Sequence, residues 1–261
     1  HILVLGAGAS GIGASWVLAQ VGAHVVLNDY KPVTLPADEE KRLVSAGVDI
    51  ITGRQDESLL DGVDRIVISP GISLDIPIVK AAQARGIDVV SEVEVAYELS
   101  KSPIVAVTGT NGKTTTTTLL TKVLEGTGKP VRVGGNIGDS LSEVAYSMPA
   151  DGFLVAELSS YQLETIKHFR PIGAIMLNIT PDHLARHKTM ENYIAAKERI
   201  FENQLSTDFM VLNIDDPIVA DMKHRAPSHI LEISQHQVVS NGAYYDKGQC
   251  YVTKNLSLIH I

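Results

Sequence analysis

One cysteine, Cys250, stands among 261 residues. No disulfide can close within such a chain, and a reducing compartment, the cytoplasm, is the expected setting. Positive charge is also in short supply: 22 Lys and Arg against 30 Asp and Glu give a formal net charge of −8. That sign argues against bulk attraction to nucleic acid or an acidic membrane, whereas a nucleotide needs only a local cradle. No apolar run approaches the roughly 20 residues of a membrane-spanning helix. No charged-then-apolar leader precedes the first strand pattern, although the chain opens on His1 rather than Met, so residues ahead of it are expected. Repeats are missing, and the five threonines at 114–118 form the one low-complexity run. What the chain does have is apolar content, 44% of its residues, which is enough for a sizeable core and argues against disorder.

Strand-like and helix-like segments alternate along most of the chain, the pattern of an α/β protein with a mostly parallel sheet. Residues 2–5 read as a strand, followed by a glycine turn, a helix to about residue 21 and a strand at 25–28. Further strands are expected at 64–69 and 87–90, with a helix at 76–85 between them and an acidic helix over 91–100. Lys101-Ser102-Pro103 interrupts the pattern, because the residue before a proline is pushed out of the helical region. A boundary there gives a Rossmann-like domain at 1–100 and a central phosphate-loop α/β domain at 101–261. Strands of the second domain are expected at 103–107, 130–133, 153–157, 172–178 and 209–213. From 238 to 261 the pattern turns to short alternating strands, with Asn241-Gly242 and Lys247-Gly248 read as turns of a small antiparallel portion.

The string Thr108-Gly109-Thr110-Asn111-Gly112-Lys113-Thr114-Thr115 carries the most chemistry. A glycine-rich turn between a buried strand and a helix points backbone N–H groups at a phosphate. Lys113 would reach the terminal phosphates and the Thr114 hydroxyl a Mg²⁺ ion, with Thr115 a further contact. The usual loop has glycine five residues before its Gly-Lys pair; Val107 stands there, and Gly109 lies closer in. Upstream, Gly6-Ala7-Gly8-Ala9-Ser10-Gly11 is G-x-G-x-x-G between strand and helix, and Asp29 closes the next strand. This fits NAD, another diphosphate at a helix N-terminus, or a tight turn alone. Ser69-Pro70-Gly71 and Gly134-Gly135-Asn136-Ile137-Gly138 also follow strands, where ligands or plain turns are both at home. Glu157 ends an apolar strand, a position suited to a Mg²⁺ ligand, and Ser159, Ser160 and Gln162 follow as polar contacts. His183, beside Asp182 after another strand, reads as a metal or phosphate ligand, while His168 and His187 read as surface residues. Lys197 lies on an amphipathic helix over 190–204, and composition alone makes it a solvated lysine.

Together these strings, with Glu157-Leu158-Ser159-Ser160-Tyr161-Gln162-Leu163-Glu164, Asn178–His183 and Ala196-Lys197-Glu198-Arg199, resemble the Mur ligase family of peptidoglycan synthesis along the whole chain. The resemblance implies an ATP-dependent, ADP-forming amide ligase working through an acyl phosphate. The Ser-Ser-aromatic-Gln-Leu-Glu string favours the D-glutamate-adding branch, whose other substrate is UDP-N-acetylmuramoyl-L-alanine. It implies that Gly109, Thr110, Asn111, Gly112, Lys113, Thr114 and Thr115 bind ATP. Thr114, Glu157, His183 and a carbamylated Lys197 would hold Mg²⁺, and Lys113, His183 and Lys197 would be catalytic. The first domain would take the UDP-sugar rather than NAD: Gly8, Ala9, Ser10 and Gly11 at the diphosphate, Asp29, Tyr30 and Lys31 at the uracil. Gly71, Asn136, Ser159 and Gln162 would complete that site. The family string Asp-His-x-Asp-Arg has Ala185 at its second acid. A third, C-terminal domain of the family has no counterpart in these residues, so the chain is expected to bind nucleotide, as a monomer, without forming product. The alternatives are a NAD-dependent dehydrogenase, which leaves the Lys113 loop unexplained, folylpolyglutamate synthetase, and a binding module without catalysis.

Overall fold

The computed structural model describes residues 1–254 and 257–260. Residues 255, 256 and 261 of the expected C-terminal strand region lie outside the described residues. The chain forms two compact units: His1–Ser102 with Val133–Ala150 and Tyr161–Phe169, and Pro103–Arg132 with Asp151–Ser160 and Arg170–Ile261. Two stretches beyond the Lys101 break thus pack with the first unit. Sequence pattern reports local periodicity and carries no sign of such long-range association.

The first unit begins β1 (Ile2–Leu5), α1 (Ala9–Gln20), β2 (Val25–Asp29), α2 (Ala37–Ser45) and β3 (Asp49–Thr52). It continues β4 (Arg65–Ile68), α3 (Pro77–Ala84), β5 (Asp88–Ser91) and α4 (Glu92–Leu99). The strands form one parallel sheet in the order β3-β2-β1-β4-β5. Both sheet faces are covered, so the strands read as nearly continuous apolar runs. Period-2 alternation sends Val4 and Val67 into one core with Ala14, Leu18 and Leu43. It sends Leu3, Leu5, Ile66 and Ile68 into the other, with Ile78, Val79 and Ala82. Strand order reverses between β1 and β4, so the loops after these two strands flank the crevice where open α/β sheets bind ligands. Those loops carry the 6–11 glycines and Ser69-Pro70-Gly71.

The remaining elements are β6 (Ile104–Thr108), α5 (Lys113–Glu125), β7 (Val131–Gly135), α6 (Leu141–Ser147), β8 (Phe153–Glu157) and α7 (Ser160–Leu163). They continue with β9 (Gly173–Met176), α8 (Leu184–His187), α9 (Met190–Glu198), β10 (Phe209–Asn213) and α10 (Pro217–Asp221). The last are β11 (His229–Ser234), β12 (Gly242–Asp246), β13 (Gln249–Lys254) and β14 (Ser257–His260). The second sheet has the order β14-β13-β12-β11-β10-β9-β6-β8-β7. It is parallel from β8 through β6, β9, β10 and β11 to β12, then antiparallel to β14.

Two local expectations change. The helix expected over 190–204 ends as α-helix at Glu198 and tightens into a 3-10 turn at Arg199–Phe201. Asn241-Gly242 is no hairpin turn, because β11 and β12 run parallel there. Glycine is required for a different reason: Gly242 has φ 142°, and a Cβ on it would lie 1.8 Å from the Glu232 carbonyl oxygen. Lys247-Gly248 does turn the chain between β12 and β13, with both residues at positive φ.

Candidate functional site

In the second unit the strand order reverses at β6, which lies between β8 and β9. Three of the expected site segments follow these strands. The phosphate loop leaves β6, Glu157 is the last residue of β8 in register with Val107, and Asn178 follows β9. Two glycines shape the loop, Gly109 at φ 150° and Gly112 at φ 82°. A Cβ on Gly109 would come within 3.0 Å of the Leu177 side chain. Asn178 braces the loop: its carbonyl accepts the Thr110 N–H at 2.9 Å, and its Oδ1 accepts the Asn111 N–H at 2.8 Å. Its Nδ2 donates to the Asn111 carbonyl at 3.0 Å. The first intrahelical bond of α5 runs from the Thr116 N–H to the Gly112 carbonyl. The N–H groups from Lys113 to Thr115 lie ahead of that bond, the orphan donors of a helix start. Thr114 and Thr115 are exposed.

The two expected lysines meet at one acceptor. Lys113 Nζ folds back to donate to the Gly109 carbonyl at 3.0 Å and the Thr110 carbonyl at 2.8 Å. Lys197 Nζ donates to the same Gly109 carbonyl at 2.7 Å and lies 3.4 Å from Thr108 Oγ1. Lys197 is 1% exposed, against the solvated position that composition alone favours. Burial first, then the Lys113 charge, lower its pKa to about 7 against the opposing pull of Asp182. Glu157 is equally buried at 1%.

Tyr193, fully buried, joins several of these groups. Its hydroxyl pairs with Thr110 Oγ1 at 3.0 Å, and Lys197 Nζ sits 5.0 Å from its ring centroid in a cation–π contact. The His183 ring meets it edge-on at 6.2 Å and the His187 ring lies tilted at 5.3 Å. None of the motifs in the sequence includes Tyr193. The available signal was its spacing, four residues before Lys197 and therefore on the same helix face. His183 has a left-handed backbone, φ 54°; its N–H donates to Asp182 Oδ1 at 2.8 Å, and its Nε2 lies 3.4 Å from Asp182 Oδ2. Asp182 thus supplies a carboxylate beside His183 although Ala185 does not. His187 is not a surface residue: it is 5% exposed, with Nε2 2.9 Å from Ser160 Oγ. His168, in the first unit, keeps an exposed ring, while its Nδ1 lies 3.1 Å from buried Glu94.

A cleft of about 720 Å³ opens beside the loop, lined by Asn111, Gly112, Thr116, Asn178, Asp215, His236 and Tyr245 among others. Burial pushes the Asp215 carboxyl up, but bonds from the Gln235 N–H and Ser234 Oγ outweigh it and hold the pKa below the usual range.

In the first unit, Gly6 has φ 101°, and a Cβ on it would lie 2.7 Å from Ser69 Oγ, which donates to the Gly6 carbonyl at 3.2 Å. A Cβ on Gly11 would lie 1.8 Å from the Gly6 carbonyl oxygen. These two glycines let the loop close; Gly8 and Gly71 face open space. Gly8 and Ala9 are exposed, and Ser10 is half-buried. Asp29 braces the loop from β2, its Oδ2 accepting the Ala7 N–H and its Oδ1 the Lys31 N–H, both at 2.9 Å. Tyr30 and Lys31 beyond it are exposed. Asn136 is exposed and Gln162 is buried. Ser159, which belongs to the second unit, is half-buried. No helix among the described residues is long and apolar enough to cross a membrane.

Comparison with known proteins agrees with both halves of this geometry. The MurD-like N-terminal domain of Mur ligases matches residues 1–91, and the Mur ligase middle domain matches residues 107–259. A UDP-N-acetylmuramoylalanine--D-glutamate ligase of Thermoanaerobacter sp. (strain X514) is 45% identical over 254 residues, 97% of this chain and 56% of the relative. The ligase of the same name from Halalkalibacterium halodurans is 43% identical over 259 residues, 99% of this chain and 57% of the relative. The chain therefore spans a little over half the length of these relatives. Among solved structures, UDP-N-acetylmuramate-alanine ligase of Thermotoga maritima shares 25% identity at a TM-score of 0.53, over 90% of this chain and 53% of that one. For the fold alone, UDP-N-acetylmuramate:L-alanyl-gamma-D-glutamyl-meso-diaminopimelate ligase of Neisseria meningitides matches at 21% identity and a TM-score of 0.64, covering 99% of this chain and 85% of that one. With a phosphate loop after β6, a glycine-rich crevice after β1 and family matches to both halves, the chain belongs to the Mur ligase family and spans its N-terminal and middle domains.

Proposed function

We propose that this chain is part of an ATP-dependent amide ligase that joins D-glutamate to UDP-N-acetylmuramoyl-L-alanine in peptidoglycan precursor synthesis, as a cytoplasmic monomer. The observation that carries the reading is the convergence of Lys113 and Lys197 on the Gly109 carbonyl, at the start of α5. The Lys113 ammonium at that carbonyl, beside Lys197, forms a local positive site in a chain of net charge −8. A nucleoside triphosphate would meet that site and the first N–H groups of α5 together. The relatives named above for this reaction support the choice of substrates.

The reaction follows from the charges. The L-alanine carboxylate attacks the γ-phosphorus of ATP, giving an acyl phosphate and ADP. The D-glutamate amine then attacks the acyl carbon, expels phosphate and loses a proton. Both first reactants are anionic and repel. Lys113, released from its carbonyls, would neutralise the terminal phosphates, while the loop N–H groups align them. The oxygen donors of Thr114 and buried Glu157 suit a hard cation, with His183 and a carbamate on Lys197 as further ligands. Bound there, Mg²⁺ would draw charge from the phosphates. An amine with a pKa of about 7 is largely unprotonated just above neutrality, as carbamate formation requires. The Nζ–C bond to CO₂ would form as one N–H proton leaves. In the first unit, the 6–11 loop would face the diphosphate, Asp29, Tyr30 and Lys31 the uracil, and Gly71 and Asn136 the rest of the sugar nucleotide. Ser159 and Gln162 would be further contacts of that substrate.

The test is calorimetric titration of the chain with UDP-N-acetylmuramoyl-L-alanine, Mg-ADP and NAD. Binding of the first two, and not of NAD, is expected. Tight NAD binding with no response to the UDP-sugar would overturn the reading.

A further inference from the structure

Glu92 is the first residue of α4 and almost fully buried, at 1% exposure. Its Oε1 accepts three bonds from the start of α6: Ser140 Oγ at 2.5 Å, the Ser142 N–H at 2.8 Å and Ser142 Oγ at 3.0 Å. Oε2 has no partner among the described residues. Ser140 occupies the N-cap of α6, yet its side chain makes no capping bond. The capping acceptor for the Ser142 N–H is instead Glu92, reaching across from α4.

Through these bonds one carboxyl holds the first turn of α6, which lies against the start of α1 where Ser140 meets Gly13. Each helix start is the anchored end of a glycine-bearing loop: 6–11 ahead of α1 and 134–138 ahead of α6. The 6–11 loop has independent anchors in Asp29 and Ser69. The 134–138 loop ends directly at Ser140, whose Oγ would lie 2.1 Å from a Cβ on Gly13 of α1. Glycine at position 13 therefore lets the start of α6 that Glu92 holds pack closely against α1.

We infer that Glu92 is a positioning residue for the sugar-nucleotide site, fixing the 134–138 loop against the diphosphate loop at 6–11. The inference rests on the proposed UDP-sugar reading and adds a residue to it. UDP engages chiefly the independently anchored loop, whereas UDP-N-acetylmuramoyl-L-alanine engages both. Loss of Glu92 should separate the two ligands.

The experiment titrates UDP and UDP-N-acetylmuramoyl-L-alanine into the full chain and into its Glu92→Ala, Glu92→Gln and Ser140→Ala variants. Glu92→Ala should weaken the UDP-sugar about tenfold and UDP less than about twofold. Glu92→Gln keeps the bonded oxygen and changes only the unpartnered one, so it should restore UDP-sugar affinity to within about threefold. Ser140→Ala removes one of the bonds and gives the same separation, smaller, if Glu92→Ala does not fold. Equal loss of both ligands would make Glu92 purely structural, and unchanged UDP-sugar binding in folded Glu92→Ala and Ser140→Ala would also overturn the inference. Failure of the unsubstituted chain to bind either ligand would instead remove the UDP-sugar reading, and the inference with it.

Discussion

Replacing Lys197 by methionine removes one amine and leaves a side chain of similar length in the same buried space. In the folded chain burial, reinforced by Lys113, brings the Lys197 pKa down to about 7 from the ordinary lysine value of 10.5. The unfolded chain keeps the ordinary value. Between these two values the unfolded chain binds more protons than the folded one, so stability rises with pH across that window. Below about pH 7 both states are protonated and the folded state bears the full cost of a buried ammonium. At about 1.36 kcal/mol per pKa unit, the group makes the native chain about 3 kcal/mol more stable at pH 9 than at pH 6. Methionine does not titrate. The stability of Lys197→Met relative to the unsubstituted chain should therefore fall by about 3 kcal/mol between pH 6 and pH 9. Urea unfolding of both chains at the two pH values, without bicarbonate or nucleotide, measures this difference, and other titrating groups largely cancel. The lost bonds to Gly109 and Thr108 shift the variant at every pH and do not alter the slope. Parallel stability curves would refute the argument, because they would mean that Lys197 titrates normally in the fold.

Lys113→Ala should weaken Mg-ATP binding by about 2–4 kcal/mol, read by calorimetry, since a phosphate-paired charge in a preorganised loop is lost. An unchanged affinity would make the loop a structural turn. Gly11→Ala should lower the melting temperature, with a cost of at least about 1–3 kcal/mol, because the new Cβ falls 1.8 Å from the Gly6 carbonyl oxygen and backbone must move. A melting temperature within a degree of the parent would rule out that close approach.

The parts of the fold set by local rules could be read in the sequence. The turn from β1 to α1 needs glycine at 6 for its positive φ and at 11 for close approach, and the pattern shows both. The same holds for the loop between β6 and α5. What escaped was decided by partners far along the chain. Lys197 looks like any helix-surface lysine until β6 and Gly109 pack over it. His187 looks like a lone surface histidine until Ser160 meets its ring. Gly242 resembles a turn glycine because glycine answers two needs, and only the parallel pairing with Glu232 shows which one operates here. Glu92 reads as the acidic first turn of a helix, and its acceptor role depends on serines about 50 residues away in the chain, as the Ser142 pairing shows.

The bracing of the phosphate loop by Asn178 also bears on the order in which the protein assembles. The β12–β13 hairpin needs only a local turn, so it can form early and alone. The body of the second sheet has no such shortcut, because parallel neighbours are joined by crossovers and pair slowly. Asn178 can reach Thr110 and Asn111 only after β9 has found β6. The proposed nucleotide cradle is thus among the last features to close, and capture of a nucleotide by a newly made chain would report that the centre of this sheet is complete.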